Sequence, residues 1–564
     1  MNRNWQVSRT NPEYLKYISD KASISHVLAQ ILVNRGIKDF DSIKAFLSPS
    51  LDHVHDPFLL PDMRTAVERV KAAVQRKEKV FVHGDYDADG ITSTALLVSV
   101  FRGMGVETFY HIPNRITEGY GLSIRGIEKA KACSADLIIT VDCGISSKDE
   151  VSAAMSMGMD VIVTDHHVPP GDLPCACAVI DPHRTDSVYP YKYLAGVGVA
   201  YKLVQAMSLD PFFKIGRSLL NDLLDLVALG TIADSAPLTG ENRIFVKYGL
   251  EAINKKPCRT GVEALKRISG VTGDVRSGLL SYTLIPRVNA AGRLDDAGDV
   301  VELFITGDIE VAERLAHVLD EQNRNRKKIE ARVFSDACEM IDPDNLDSAI
   351  VLSSPDWHPG VIGIVASRLL EMYFRPVFLF SEKDGVAKGS ARSAPPFHLH
   401  NAIAGCSDLL IAFGGHSQAA GLKILSGKLP LFRESINRQV EANIDAGALK
   451  PVLEIDAAVT LSDINFGLIK ELSLLEPFGE SNREPLFGAK DISIINHRIV
   501  GNNHLKMQLR QNNVNVDTIG FSMGSHLELI GKNRSMDIVF VPSINEWNGS
   551  RTLQLNLRAI RPSV

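Results

Sequence analysis

The stretch Val80-Phe81-Val82-His83-Gly84-Asp85-Tyr86-Asp87-Ala88-Asp89-Gly90 decides how the rest of the chain is read. A short apolar run is followed at once by an imidazole and by carboxylates at alternate positions 85, 87 and 89. A helical pattern then begins, from Ile91 to Phe101, with Thr92 and Ser93 in its first turn. Carboxylates this close cannot all stay ionised alone, since two unit charges ~4 Å apart repel by roughly 4 kcal/mol at an effective dielectric near 20. A divalent cation removes that cost, and Asp with His suits Mn²⁺ or Mg²⁺ better than a thiolate-seeking ion. A solvated acidic turn is the plain alternative, because Asp and Gly favour turns on their own.

Working outward, the pattern repeats. A helix is predicted from Met63 to Arg76 and strands at Val106–Tyr110, Ala135–Val141 and Met159–Thr164. The last two end at Asp142-Cys143-Gly144 and at Asp165-His166-His167. Continuous apolar runs without alternation suit strands buried on both faces, hence a parallel sheet in an α/β layer. Ligand sites in such sheets lie beyond the carboxyl ends of the strands. A shared edge therefore gathers His83, Asp87, Asp89, Asp142, His166 and His167. Gly230-Thr231-Ile232-Ala233-Asp234 adds one more acidic residue after an apolar helix, and Pro237 stops that helix. Asp234 is preferred as the further ligand over Asp225, which reads as a helix-surface or capping group.

The flanking regions differ in character. Residues 1–60 read as an N-terminal helical cap, with an amphipathic stretch at Ile24–Leu32, followed by a Pro-rich strap. Pro286-Arg287-Val288-Asn289-Ala290-Ala291-Gly292-Arg293 sets two arginines among small residues, which suits either bidentate phosphate contacts or plain surface cations. A long polar helix, about Asp308 to Met340, carries Arg324, Arg326, Lys327, Lys328 and Arg332 and reads as a connector between two lobes. A second α/β unit begins near Ser348, with a loop into a helix at Trp357–Ala366, and contains Gly389-Ser390-Ala391-Arg392. Its Gly414-Gly415-His416 admits either a phosphate contact or a tight turn with a satisfied His, the latter slightly favoured. After Pro451, short runs separated by Asn, Gly and Ser turns indicate a small antiparallel β-barrel or sandwich. An OB-like barrel would offer single strands the candidates Arg510, Trp547, Arg551, Arg558 and Arg561.

At 564 residues several domains are expected, and 45% hydrophobic with 23% charged residues is ordinary for a globular chain. No stretch has the length of a membrane span, and the first residues show no apolar leader, so a cytoplasmic protein is expected. Seven cysteines form no framework spacing, and Cys175-Ala176-Cys177 lacks the second pair a structural zinc needs. The net charge of −6 does not exclude nucleic acid, because a metal cluster consumes acidic residues and a local basic surface decides.

The motifs at 83–90, 141–144, 165–167 and 230–234, taken in order and spacing, resemble the four metal motifs of the DHH phosphoesterase superfamily. Phe413 to Gly421 resembles the glycine-rich signature of its associated domain. With Pro286–Arg293, Trp357–Ala366 and the C-terminal β region, nearly the whole chain from about residue 40 is similar to the single-strand-specific 5′→3′ DNA exonucleases of that superfamily. The resemblance implies a parallel-sheet catalytic domain at 61–305, a connecting helix at 306–342, an associated α/β domain at 343–450 and an OB-like domain at 451–564.

The resemblance also implies two divalent ions, Mn²⁺ or Mg²⁺. His83 and Asp87 would hold one, Asp89, His166 and Asp234 the other, with Asp142 bridging. Asp85 would stand beside the site or bind through water, and His167 would donate to a phosphate oxygen or the leaving alkoxide. Arg115, Ser390 and Arg392 would contact a terminal 5′-phosphate, while Arg287, Asn289, Arg293 and His416 would grip the backbone near the cut. The implied role is digestion of single-stranded DNA to mononucleotides in repair and recombination, with a single-strand-binding protein and a RecQ-type helicase as family partners; a monomer is the default expectation. Two rivals share the fold: a DHH-type oligoribonuclease or cyclic-dinucleotide phosphodiesterase, and a non-catalytic replisome scaffold. Every expected ligand type is present here, which argues against the scaffold.

Overall fold

The computed structural model describes residues 4–115, 117–294, 297–443, 452–532, 535–547 and 549–563. Its first sheet has strands β1 (Val80–His83), β2 (Thr108–His111), β3 (Leu137–Val141), β4 (Asp160–Thr164) and β5 (Ala178–Ile180), all parallel, in the order β2-β1-β3-β4-β5. Alternate residues face opposite cores. Val80, Val82, Leu137, Ile139 and Ile162 join one cluster, and Phe81, Ile138, Val161 and Val163 join another. Burial on both faces is why these strands read as unbroken apolar runs.

Helix α1 (Ala88–Gly103) starts directly after the acidic loop. Asp87 caps it, accepting from the N–H groups of Asp89 at 2.9 Å and Gly90 at 3.2 Å. Two further helices, α2 (Gly196–Ser208) and α3 (Arg217–Ala233), pack against α1 on the same face of the sheet. Then come α4 (Ile285–Leu294) and α5 (Ile309–Glu339), the second being the expected connector, capped by Asp308.

The associated lobe holds β6 (Ile350–Ser354), α6 (Ile362–Tyr373), β7 (Val377–Lys383), β8 (Val386–Arg392), β9 (Leu410–Gly415) and β10 (Ala419–Leu425). Its sheet is mixed, in the order β9-β10-β8-β7-β6, with only β6 and β7 parallel.

The C-terminal strands β11 (Phe487–Val500), β12 (His504–Gln511), β13 (Val514–Gly520), β14 (Ser535–Trp547) and β15 (Ser550–Pro562) close into a barrel. Their order is β11-β12-β13-β15-β14, with β14 returning to β11 and a parallel β13–β15 contact. This is a five-stranded OB-like barrel.

The N-terminal segment is not a separate cap. Asn4–Val7 pairs in parallel with Val452–Ile455, and Ile18, Leu28, Ile31, Leu32 and Ile43 share one core with Phe487, Leu505, Ile538 and Leu555 of the barrel. Among the described residues, no helix is long and apolar enough to cross a membrane.

Candidate metal centre

Adjacent strands β1 and β3 mark the point where the strand order reverses, and the crevice beyond their carboxyl ends is where an open α/β sheet binds ligands. His83 ends β1, Asp142 follows β3, and Asp165-His166-His167 follows β4. Register sets His83 beside Thr140 and Val141 beside Thr164, so the three tips emerge side by side. Asp142 has φ of 59°, a left-handed conformation that Asp tolerates better than most residues, and its N–H donates to Thr164 O at 3.1 Å.

Three sets of donor atoms converge within 4.8 Å of one another: Asp85, Asp87 and Asp142; Asp89, His166 and Asp234; and Asp142, His166 and His167. The contact between Asp142 Oδ1 and His166 Nε2 is the most informative. These atoms lie 3.0 Å apart, yet both are buried and neither makes a hydrogen bond. Adjacent ligands of an octahedral cation with bonds near 2.1 Å are separated by roughly 3 Å. Asp85 Oδ1 is likewise buried and unpartnered. Orphaned polar atoms of this kind are costly unless something binds them, and this hard set of carboxylates with an imidazole fits a divalent cation such as Mn²⁺ or Mg²⁺. Cys143 takes no part, its thiol facing His83 O at 3.8 Å.

The electrostatics agree. Burial, then the charge of Asp234, pushes the Asp89 carboxyl up to about 7. Burial, then Asp87, does the same for Asp234, again to about 7. Asp85 and Asp142 are raised well above the ordinary range by burial and then by neighbouring carboxylates. Asp89 is held by the first N–H groups of α2, Gly196 at 2.7 Å and Val197 at 2.9 Å. Gly196 itself lies against Asp142, since a Cβ there would meet Asp142 Oδ1 at 2.6 Å.

The two histidines after Asp165 are oriented differently. Asp165 is fully buried and accepts from the N–H groups of His166 at 2.7 Å, His167 at 3.1 Å and Ile145 at 2.9 Å. It also binds His167 Nδ1 at 2.8 Å. Against the cost of burial, that hydrogen bond and the charge of Asp165 raise His167 to about 9. His167 is thus oriented by Asp165 through Nδ1. Tyr120, which the sequence did not signal, reaches the same Nδ1 at 3.0 Å and Asp142 O at 3.3 Å.

Several expected residues are engaged by other groups of the chain. His83 falls outside the three donor sets. Its Nε2 donates to Gly121 O at 3.2 Å and burial lowers it to about 4, but its Nδ1, against Gly126, is buried without a hydrogen-bond partner, as Asp142 Oδ1 and His166 Nε2 are. Asp85 is the third donor beside Asp87 and Asp142 instead. Asp225 is neither a surface group nor a cap but a buried carboxylate gripped by Arg259 at 2.6 and 3.0 Å. Arg287 is bound to Asp320 at 2.9 Å through Nε, and Asn289 Oδ1 accepts from Ala88 N–H at 2.9 Å. His416 sits exposed at the β9–β10 turn, its N–H bonded to Ala419 O at 2.8 Å.

Arg115, Arg293 and Arg392 do come together. Arg293 is largely buried, donates to Gly360 O at 3.1 Å, and is lowered to about 10 by burial and then by the charges of Arg115, Arg326 and Arg392. Arg392 donates to Ser390 Oγ at 3.1 Å, and both lie against Gly363 in the first turn of α6. Arg115 stacks over Tyr86, 4.9 Å from its ring centre, beside the acidic loop. Guanidinium groups crowded at a helix N-terminus make a receptor for a phosphate. In the barrel, Arg510, Arg551, Arg558 and Arg561 each bind a neighbouring Asn, Glu or Asp, and the Trp547 side chain lies outside the described residues.

Family models match at residues 79–231 (DHH family, N-terminal domain), 346–442 (DHHA1 domain) and 455–559 (RecJ OB domain). The single-stranded-DNA-specific exonuclease RecJ of Bacillus subtilis is 36% identical over 560 residues, spanning 98% of this chain and 70% of that protein. The chain belongs to the RecJ family. The Escherichia coli RecJ is 35% identical over 562 residues, 96% of each chain. Among solved structures, Thermus thermophilus RecJ in complex with Mn²⁺ superposes with a TM-score of 0.85 at 30% identity, covering 100% of this chain and 80% of that one. RecJ membership accounts for the fold and for the order of the four acidic motifs, and the Thermus protein was also solved with Mg²⁺.

Proposed function

We propose that this RecJ-family chain is a metal-dependent exonuclease that degrades single-stranded DNA from the 5′ end, releasing mononucleotide 5′-phosphates. Asp85, Asp87 and Asp142 would hold one divalent ion, and Asp89, His166 and Asp234, with Asp142 at hand, a second. Divalent ions held there would supply charge stabilisation for a phosphodiester and a lowered pKa for a bound water. The observation that carries this is the pair Asp142 Oδ1 and His166 Nε2, 3.0 Å apart and hydrogen-bonded to nothing.

The chain's own residues supply the remainder. Asp165 fixes His167 through Nδ1, leaving Nε2 to donate to a phosphate oxygen or to the departing oxygen as charge builds there. The pocket of Arg115, Arg293, Ser390 and Arg392 receives the terminal 5′-phosphate, which sets the polarity of digestion. The test is digestion of single strands labelled at either end, with Mn²⁺, by the parent and by Asp142→Ala. Mononucleotides released from the 5′ end by the parent alone support the reading. Digestion from the 3′ end, or equal activity in the variant, overturns it.

A further inference from the structure

The ten-residue helix α4 brackets the acidic loop from outside. Asn289 Oδ1 accepts from the N–H of Ala88 at 2.9 Å. One turn further on, Gly292 lies so close to Tyr86 O that a Cβ would collide with it. Tyr86 and Ala88 are the two neighbours of Asp87, so α4 grips the backbone on both sides of that carboxylate. Asp87 Oδ1 is already committed to the N–H groups of Asp89 and Gly90, which leaves its other oxygen for a cation. The backbone at 86–88 therefore decides where that oxygen points.

Helix α4 is itself anchored at both ends. Arg287 is bound to Asp320 of α5, with Nε at 2.9 Å and Nη2 at 2.8 Å. Arg293 donates to Gly360 O of the associated lobe at 3.1 Å. Asp320 is almost fully buried, so this tie is not a loose surface pair.

We infer that Asn289 is a positioning residue for the metal centre, acting through Ala88 on Asp87 and Asp89 rather than by touching DNA, and that α4 links the lobe interface to those carboxylates. An Asn side chain serving as a backbone acceptor here does what a hydrogen bond behind a ligand does in other metal sites, where its loss costs about 10- to 100-fold in affinity or activity. The inference rests on the metal reading above.

The experiment is Mn²⁺ binding to the full chain without DNA, by calorimetry and by loss of the free-ion EPR signal, with the melting temperature recorded alongside. Asn289→Ala is expected to weaken Mn²⁺ binding about tenfold. Asn289→Asp, which keeps the oxygen acceptor, is expected to bind at least as tightly as the parent. Gly292→Ala pushes the same loop from the other side and is expected to weaken binding without removing any polar group. If Asn289→Ala fails to fold, Asn289→Ser takes its place. Parent-like Mn²⁺ affinity in both Asn289→Ala and Gly292→Ala, with only the KM for DNA raised in the former, makes Asn289 a substrate contact and overturns the inference. A parent that binds no Mn²⁺ overturns the metal reading instead, so the two failures are distinct.

Discussion

Replacing Gly196 by Ala tests the metal centre with a single methyl group. The new Cβ would meet Asp142 Oδ1 at 2.6 Å, its Cβ at 2.7 Å and its Cγ at 2.8 Å, where ordinary contact begins at 3.4 Å. Three atoms of one carboxylate arm must therefore retreat by roughly 0.6–0.8 Å. Metal sites keep their distances within about 0.2 Å, so a shift of this size exceeds the tolerance several-fold. Gly196 N–H also holds Asp89 at 2.7 Å, and any yielding of α2 displaces that ligand as well. Two effects on stability oppose each other. Overpacking costs about 1–3 kcal/mol, while Ala in place of Gly returns up to about 1 kcal/mol of helix propensity, less at the first helical position. The expected result is a modest loss in melting temperature with a rise of about ten- to a hundred-fold in the Mn²⁺ concentration for half-maximal cleavage. The assay is a Mn²⁺ titration of nucleotide release from single-stranded DNA, paired with thermal unfolding of the EDTA-treated protein. A variant with the parent's Mn²⁺ dependence would falsify the placement of Asp142 at the ion.

Three further outcomes are expected. Because Asp89 and Asp234 hold protons up to about pH 7 without a cation, Mn²⁺ binding at pH 6.5 must release protons, and affinity must rise with pH until those groups are ionised; calorimetry in buffers of differing ionisation enthalpy reads this, and a pH-independent affinity contradicts it. Arg392→Ala should reduce the preference for 5′-phosphorylated over 5′-hydroxyl strands by about 10- to 100-fold, as for loss of a charged hydrogen bond of about 1.5–3 kcal/mol; competition between the two substrates measures it, and an unchanged preference removes the pocket from end recognition. Lys202 and Glu241 form a buried pair at 2.6 Å that also receives the His55 N–H and the Tyr189 hydroxyl. Lys202→Met should cost about 3–5 kcal/mol in urea unfolding, and adding Glu241→Gln should recover part of it; additive losses would mean the pair is not coupled.

The sheet was legible because strands buried on both faces appear as unbroken apolar runs, and β1 to β4 end within a residue or two of where Val82, Tyr110, Val141 and Thr164 put them. β5 escaped notice, since three residues at Ala178–Ile180 are too short a run to stand out after the Cys-Ala-Cys segment. The convergence of carboxylates was equally visible, because strand ends in a parallel sheet share an edge. What could not be read was which polar group each cation or amide would face. Arg287 resembles a phosphate ligand until Asp320, thirty-three residues on, is seen against it. Asp225 resembles a helix-surface group until Arg259 is placed beside it. Of the N-terminal helices, only the stretch at Ile24–Leu32 is read from the sequence as amphipathic, Pro12–Ala22 and Phe40–Leu47 are not, and the surface all three cover is formed by residues more than four hundred positions later.

Translation at about 5–20 residues per second delivers Ile18, Leu28 and Ile43 more than four hundred residues before Ile538 and Leu555. For tens of seconds the opening helices emerge with no partner to shelter their oily side, while the catalytic lobe can already assemble behind them. Nascent chains halted before the barrel should therefore present those helices to chaperones, and emergence of the barrel strands should withdraw them.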